Sequence, residues 1–250
     1  MTKQNLKKYS EKFDPILETK IFTKKECERI VNTLIKRQNE WEVRSPIGDF
    51  FMSYGALTYL DAEGGYYESY TQKSKYFNEI LMEDFDWMYS KIKSYYEERF
   101  EKPVVFKYAL PGFHIFQTAE MLNHEHIKNS ASIHVDLPHR PHEWDSDILA
   151  VSSFTIAVKL PRCGAGLNIW QDKNVFDNIE TVFFDELDEK NQLKVAESAE
   201  YFPYKLGYIY EQSGLTRHQI TCKGEVMENE RRVTLQGHIV ETDKEIILYV

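Results

Sequence analysis

Apolar residues in the first hundred positions of this chain recur at helical spacing. Ile30, Val31, Leu34 and Ile35 fall on one stripe, as they would along one face of a helix. Just upstream, Phe22-Thr23-Lys24-Lys25-Glu26 carries Thr and Glu three apart, a capping box in which each side chain satisfies the other residue's backbone N–H. A helix is therefore expected from about Lys24 into the late thirties. Between Ser74 and Phe100, Phe77, Leu81, Phe85, Met88, Ile92, Tyr95 and Phe100 are three to five apart, which predicts an amphipathic helix with one buried stripe. Pro103 ends it, and the stripe reads as core filling that needs no cofactor.

Phe50 to Leu60 and Gly64-Gly65-Tyr66-Tyr67 read as short strands or loops rich in aromatics, suited to covering a pocket. From Val104 onward the period changes. Short β-branched and aromatic runs, separated by turn residues, occupy 104–109, 113–118, 131–136, 151–160, 167–171, 206–211, 218–222 and 231–240. Strands without interleaved helices argue for a sandwich or barrel over a doubly wound sheet, and a jelly roll closes about this many strands most simply. Phe184 to Glu200 interrupts them with charge and reads as a surface loop or short helix. The expected fold is mostly β with N-terminal helices, in a single domain over 1–250. Residues 1–103 form its helical, lid-forming part and 104–250 its β core.

Composition narrows the function classes. A formal charge of −9 gives no support to nucleic-acid binding or to an anionic membrane surface. The N-terminal residues show no apolar run of a signal peptide and no segment is apolar enough to span a bilayer, so a cytoplasmic location is expected. Cys27, Cys163 and Cys222 are odd in number and scattered, which suggests neither a disulfide framework nor a Cys-x-x-Cys site.

The chemistry centres on Ile133-His134-Val135-Asp136 and on Thr216-Arg217-His218-Gln219-Ile220. His134 and Asp136, two apart on an extended segment, share a face and can converge on one metal ion, which a distant His218 would complete. Two imidazoles and a carboxylate on one face of an octahedron are the ligands of non-haem iron(II) oxygenases. His114, His124, His126, His139 and His142 compete for attention. A zinc site drawn from His124, His126, His134, His139 and His142 is the alternative that imidazole chemistry leaves open. Against it, Pro138 to Asp145 reads as a solvated loop in which His139 and His142 need no partner. Further on, Arg232, Thr234, Gln236 and His238 alternate onto one strand face while Val233, Leu235, Gly237 and Ile239 take the other. A polar face beside a metal suggests a bound anion.

His134-x-Asp136, the distal His218, and Arg232-x-Thr234 on the following strand together resemble the 2-oxoglutarate/iron(II)-dependent dioxygenase superfamily. The likeness covers roughly 106–240. It includes Gly164-Ala165-Gly166-Leu167-Asn168-Ile169-Trp170, similar to the glycine-rich entry to a central strand in that family. Leu206-Gly207-Tyr208-Ile209-Tyr210 is similar to the strand leading to the distal His. Thr234 stands where Ser is commoner and keeps the hydroxyl. Arg231 beside Arg232 offers a second candidate anchor; strand parity and Thr234 favour Arg232. The first hundred residues carry no resemblance of their own.

The resemblance implies a double-stranded β-helix, the jelly-roll core of cupin-like proteins, packed against helices. It implies iron(II) held by His134, Asp136 and His218, with the open positions taken by the cosubstrate 2-oxoglutarate and by dioxygen. Arg232 would hold the distal carboxylate in a planar, two-pronged contact, with Thr234 adding a hydrogen bond. Carbon dioxide and succinate would leave, and an unactivated substrate carbon would be hydroxylated, with desaturation or ring closure as variants of the same chemistry. Related halogenases replace the ligand carboxylate with Gly or Ala, whereas this chain keeps Asp136. A small chain with no added recognition module points to a free amino acid or other small metabolite as substrate, and Trp144, Gln236 and His238 are the candidate contacts. Two other classes compete: a cupin-like metal-binding sensor without turnover, and a zinc hydrolase, which would lack an obvious general base and leave Arg232 and Thr234 unexplained.

Overall fold

The computed structural model describes residues 16–44, 51–62, 67–117, 132–136, 142–162, 164–170, 181–182, 187–214, 216–221 and 230–250. Strand β1 (Leu17–Lys20) leads into helix α1 (Lys24–Lys36), then β2 (Glu42–Val43), β3 (Phe51–Tyr54), a short α2 (Thr58–Asp61) and the long α3 (Tyr67–Phe100). Next come β4 (Val104–Phe106), β5 (Gly112–Gln117), β6 (Ile133–His134), β7 (Ile148–Lys159), β8 (Gly166–Trp170) and β9 (Thr181–Val182). The chain continues through α4 (Glu189–Ser198), β10 (Glu200–Pro203), β11 (Tyr208–Ser213), β12 (Arg217–Thr221), β13 (Arg231–Thr242) and β14 (Ile246–Tyr249).

The strands form two sheets. The larger runs β1-β11-β7-β13-β5-β3-β2, with β14 and β4 joined through β13; the smaller runs β10-β8-β12-β6-β9. Nearly all pairs are antiparallel, β14 with β4 being the parallel exception. Two facing antiparallel sheets of this order make the jelly-roll core, in which alternate residues of each strand point between the sheets.

Strand parity sorts the larger sheet into an apolar outer face and a polar inner one. Val233, Leu235 and Ile239 of β13 lie with Phe113, Ile115, Phe154 and Ile156 in the main core, where the helices contribute Ile30, Leu34, Phe77, Leu81, Phe85, Met88 and Ile92. The capping box at Thr23 is formed: Thr23 N–H donates to Glu26 Oε2 at 2.7 Å, and Glu26 N–H donates to Thr23 Oγ1 at 3.3 Å. Lys91 of α3 donates to the same Glu26 at 2.6 Å, so the cap also ties the two helices together. α3 begins earlier than the apolar stripe suggests and bends at Phe85 (φ −131°, ψ 18°), where the ring is buried 5.0 Å from Phe113.

Five strands were not expected from the sequence: β1, β2, β9 and β10, which lie at sheet edges, and β14, which lies between β13 and β4. β1 pairs β11, β10 pairs β8, and β14 forms a hairpin with β13. The charged interruption resolves into α4, capped by Asp188, whose side chain accepts from Asn191 N–H at 2.9 Å. Val195 of α4 packs with Ile133 and Trp170 on the back of the smaller sheet. Among the described residues no helix is long and apolar enough to cross a membrane.

Gly207 holds the entry to α1 against the larger sheet. Its carbonyl accepts from Ile21 and Phe22 at 2.9 and 2.8 Å, and its N–H donates to Ala157 at 2.8 Å. Its φ is +78°, and an added Cβ would lie 2.1 Å from the Phe22 carbonyl oxygen. Gly207→Ala is expected to cost roughly 2–5 kcal/mol through strain and overpacking together. The thermal midpoint should then fall by about 4–20 °C; an unchanged midpoint would show that the contact relaxes freely.

Candidate metal centre

His134 and His218 are direct cross-strand partners on β6 and β12, so their side chains leave the sheet on one face, with ring centroids 4.5 Å apart. Asp136 lies just beyond the end of β6 and is pinned by its backbone N–H, which donates to Gly214 at 2.8 Å. His134 Nε2 lies 3.6 Å from Asp136 Oδ1, and His218 Nε2 lies 3.6 Å from Oδ2. That is too far for good hydrogen bonds but fits three donors turned towards one point. Candidate ligand atoms of all three residues lie within 4.8 Å of one another, and among the described residues this is the one such group.

The tautomers suit a metal. His134 Nδ1 lies 2.9 Å from the Ser132 carbonyl, and His218 Nδ1 lies 3.0 Å from the Thr216 carbonyl. A carbonyl only accepts, so each Nδ1 carries the proton and each Nε2 presents a lone pair towards Asp136. Burial pushes the His218 imidazole below its ordinary pKa, despite the nearby carboxylate. For Asp136 burial acts to raise the pKa, but the imidazoles of His218, His238 and His134 and a hydrogen bond from Ser153 prevail and hold it at about 2. An ionised carboxylate beside a neutral imidazole is the protonation state that metal binding requires. The donor set therefore fits a divalent first-row metal.

A buried cation occupies the inner face of the larger sheet. Arg232 is 0 % exposed, and its guanidinium lies 5.2 Å from the Phe116 ring centroid and 5.4 Å from that of Tyr204. Arg231 points the other way and sits 5.3 Å over Trp41 near the surface. Thr234 is buried on the same face as Arg232, and Gln236 donates to its hydroxyl at 3.4 Å. Aromatic faces offset part of a buried guanidinium's charge, whereas a planar anion would match its fork of donors.

The remaining sequence candidates are placed as follows. His238 faces inward and bonds Ser153 through Nδ1 at 3.0 Å; burial lowers its pKa to about 4. Trp144 belongs to an aromatic cluster, with ring centroids 5.5 Å from both Tyr108 and Tyr249. His142 corrects the expectation of a solvated loop residue. It is buried, stacked on Tyr108 at 3.9 Å and 3.2 Å from Thr58 Oγ1, because aromatic packing draws its segment onto the sheet. His124, His126 and His139 lie outside the described residues.

Sequence reasoning weighed His114 but gave it no role, and it did not single out Tyr59, Ser153 or Gln212. His114 pairs with Thr234 across β5 and β13, and its Nε2 lies 3.4 Å from the Tyr59 hydroxyl. Burial, with the charge of Arg232, lowers its pKa to about 3, so it is a neutral hydrogen-bonding group on the inner face beside Thr234. The alternation of Phe113, His114 and Ile115 was the available signal. Ser153 and Gln212 are cross-strand partners on the inner face, and nothing in their local sequence marks them.

No known family profile matches this sequence, and no curated protein does. Among solved structures, an N-substituted L-amino acid dioxygenase from Burkholderia ambifaria AMMD is similar in two crystal structures, one of them in complex with alpha-ketoglutarate. Each shows 10% identity and a TM-score of 0.51, covering 94% of this chain and 86% of that one. A non-heme alpha-ketoglutarate-dependent carbocyclase from nogalamycin biosynthesis, SnoK, shows 9% identity and a TM-score of 0.46 over 100% of this chain and 87% of that one. The likeness to the amino acid dioxygenase, together with the two facing sheets, shows that the chain shares the fold of that dioxygenase, with a jelly-roll core. At such identity the likeness is one of fold, and the site has to speak for the chemistry.

Proposed function

We propose that this protein is an iron(II)- and 2-oxoglutarate-dependent oxygenase that hydroxylates an unactivated carbon of a free amino acid or other small metabolite. The observation that carries this reading is the convergence of His134, Asp136 and His218 in a fold whose inner face also buries Arg232 and Thr234. A metal-binding sensor needs the first group alone; cosubstrate chemistry calls for both.

His134, Asp136 and His218 would hold iron(II), which, with 2-oxoglutarate and dioxygen, supplies the oxidant. Arg232 would take the distal carboxylate of 2-oxoglutarate through two parallel N–H bonds, and Thr234 would donate a third. Neutral His114, beside Thr234, is placed to hydrogen-bond the cosubstrate without adding charge. The aromatic and aliphatic wall of Phe116, Ala157, Leu167, Ile169, Tyr204 and Ile220 would exclude water around the bound dicarboxylate. In the overall reaction 2-oxoglutarate loses carbon dioxide to become succinate. One atom of dioxygen enters succinate and the other enters the substrate. Asp136 occupies the place that halogenases leave open, which favours hydroxylation over chlorination.

The dioxygenase of the same fold is described as acting on N-substituted L-amino acids, which supports a small, amino-acid-like substrate here. The test is a screen of amino acids and metabolites for substrate-stimulated succinate formation by iron-loaded protein, with product mass measured alongside. A gain of sixteen mass units on one compound, tracking succinate, is the expected result. Metal uptake without 2-oxoglutarate turnover under any condition would establish the sensor instead, and a chlorinated main product in excess chloride would overturn the role given to Asp136.

A further inference from the structure

Helix α2 is four residues long, too short to hold its shape alone, and its side chains tie it down from opposite sides. Asp61 accepts from Arg44 Nη1 and Nη2 at 2.8 and 2.9 Å, from Lys73 Nζ at 2.8 Å and from the Leu57 backbone N–H at 2.7 Å. The Arg44 and Asp61 side chains are almost fully buried, so water competes little for these bonds. Thr58 turns the other way and donates to the Val250 backbone oxygen. Tyr59, between these two anchors, reaches the inner face of the larger sheet, where its hydroxyl lies 3.4 Å from His114 Nε2.

Ser53, His114 and Thr234 are successive cross-strand partners on β3, β5 and β13, so they form one row on that face. Phe51, Phe116 and Arg232 form the next row. The Ser53 hydroxyl already accepts from Arg44 Nε at 2.7 Å. Tyr59 is 37 % exposed, so its side chain spans from solvent to the row of His114. Its present bond is at the weak end for a hydroxyl donor, and a carboxylate is a stronger acceptor than a neutral imidazole.

From this placement we infer that Tyr59 is a binding residue for the dicarboxylate cosubstrate, its hydroxyl turning from His114 to donate to the distal carboxylate that Arg232 and Thr234 would hold. Cross-strand neighbours carry Cβ atoms about 4.5–5.5 Å apart. An oxygen lodged beside Thr234 therefore also lies beside His114, within reach of a hydroxyl resting there. The phenol adds a donor without adding charge. The clamped helix sets its position before the ligand arrives, which lowers the ordering cost of binding.

The inference rests on the cosubstrate reading above, and calorimetric titration of the iron(II)-loaded, oxygen-free protein with two keto acids tests it without turnover. 2-Oxoglutarate carries the distal carboxylate and 2-oxobutyrate lacks it, while both offer the same keto acid end. Tyr59→Phe keeps the ring and removes only the hydroxyl. It is expected to weaken 2-oxoglutarate binding by roughly 10-fold, the low end for a hydrogen bond to a charged group, and to change 2-oxobutyrate binding by less than about twofold. Equal losses for the two acids would reduce Tyr59 to packing, and an unchanged affinity for 2-oxoglutarate would remove it from the site. Either result overturns the inference while wild-type preference for 2-oxoglutarate keeps the cosubstrate reading standing. Wild-type protein that binds 2-oxoglutarate no better than 2-oxobutyrate would overturn the roles given to Arg232 and Thr234, and the inference with them.

Discussion

Asp136→Ala is expected to abolish succinate formation and to weaken iron(II) binding by more than about 100-fold, a larger loss than removal of a supporting hydrogen bond causes. The carboxylate is the single anionic donor among the three converging residues. Without it, two neutral imidazoles would face the cation with no charge to offset it. The site has no surplus protein ligand to step in, because His238 bonds Ser153 and His114 faces Tyr59. His134→Ala and His218→Ala are expected to abolish turnover in the same way. The fold should survive, since β6 and β12 keep their backbone pairing and Asp136 keeps its N–H bond to Gly214. Full activity in any of the three variants, measured as succinate per enzyme with iron in excess, would sink the assignment.

How much of this site was legible beforehand depended on which physical signal each part leaves in the sequence. Alternation left a clear one. Along β13 it separated Arg232 and Thr234 from Val233 and Leu235, and the structure sorts those residues onto the same two faces. The capping box at Thr23 was equally plain because its partners are three residues apart. Edge strands were not. β1 is four residues long with mixed exposure, and β10 ends in a proline, so neither offers a long apolar period; each is a strand because a neighbour supplies its hydrogen bonds. The meeting of His238 with Ser153 was illegible for a different reason. The two lie on β7 and β13, and their meeting depends on a register that shifts at a bulge between Val233 and Thr234. Parity alone put His238 on the inner face but could not say that a serine there would claim its Nδ1. His142 failed differently again. Its charged, proline-containing surroundings suggested solvent, whereas stacking on Tyr108 buries it.

Arg232→Lys is expected to weaken 2-oxoglutarate binding by roughly 10- to 150-fold, the range of one charge-assisted hydrogen-bonding contact worth about 1.5–3 kcal/mol. Arg231→Lys should change it by less than about twofold, as expected for an outward-facing surface charge. The two residues are adjacent, so a strand must turn their side chains to opposite faces. Arg232 is the buried one, between Phe116 and Tyr204, while Arg231 lies over Trp41. Lysine keeps the charge but loses the planar fork, so the variant separates bidentate recognition from simple electrostatic attraction. It also leaves a strongly hydrated ammonium where a weakly hydrated guanidinium was buried, which adds to the loss. Titration of the iron-loaded, oxygen-free protein with 2-oxoglutarate, followed by the visible charge-transfer band, gives both affinities directly. An equal loss in the two variants would reduce the effect to net charge, and a larger loss at Arg231 would move the cosubstrate anchor to the other face of β13.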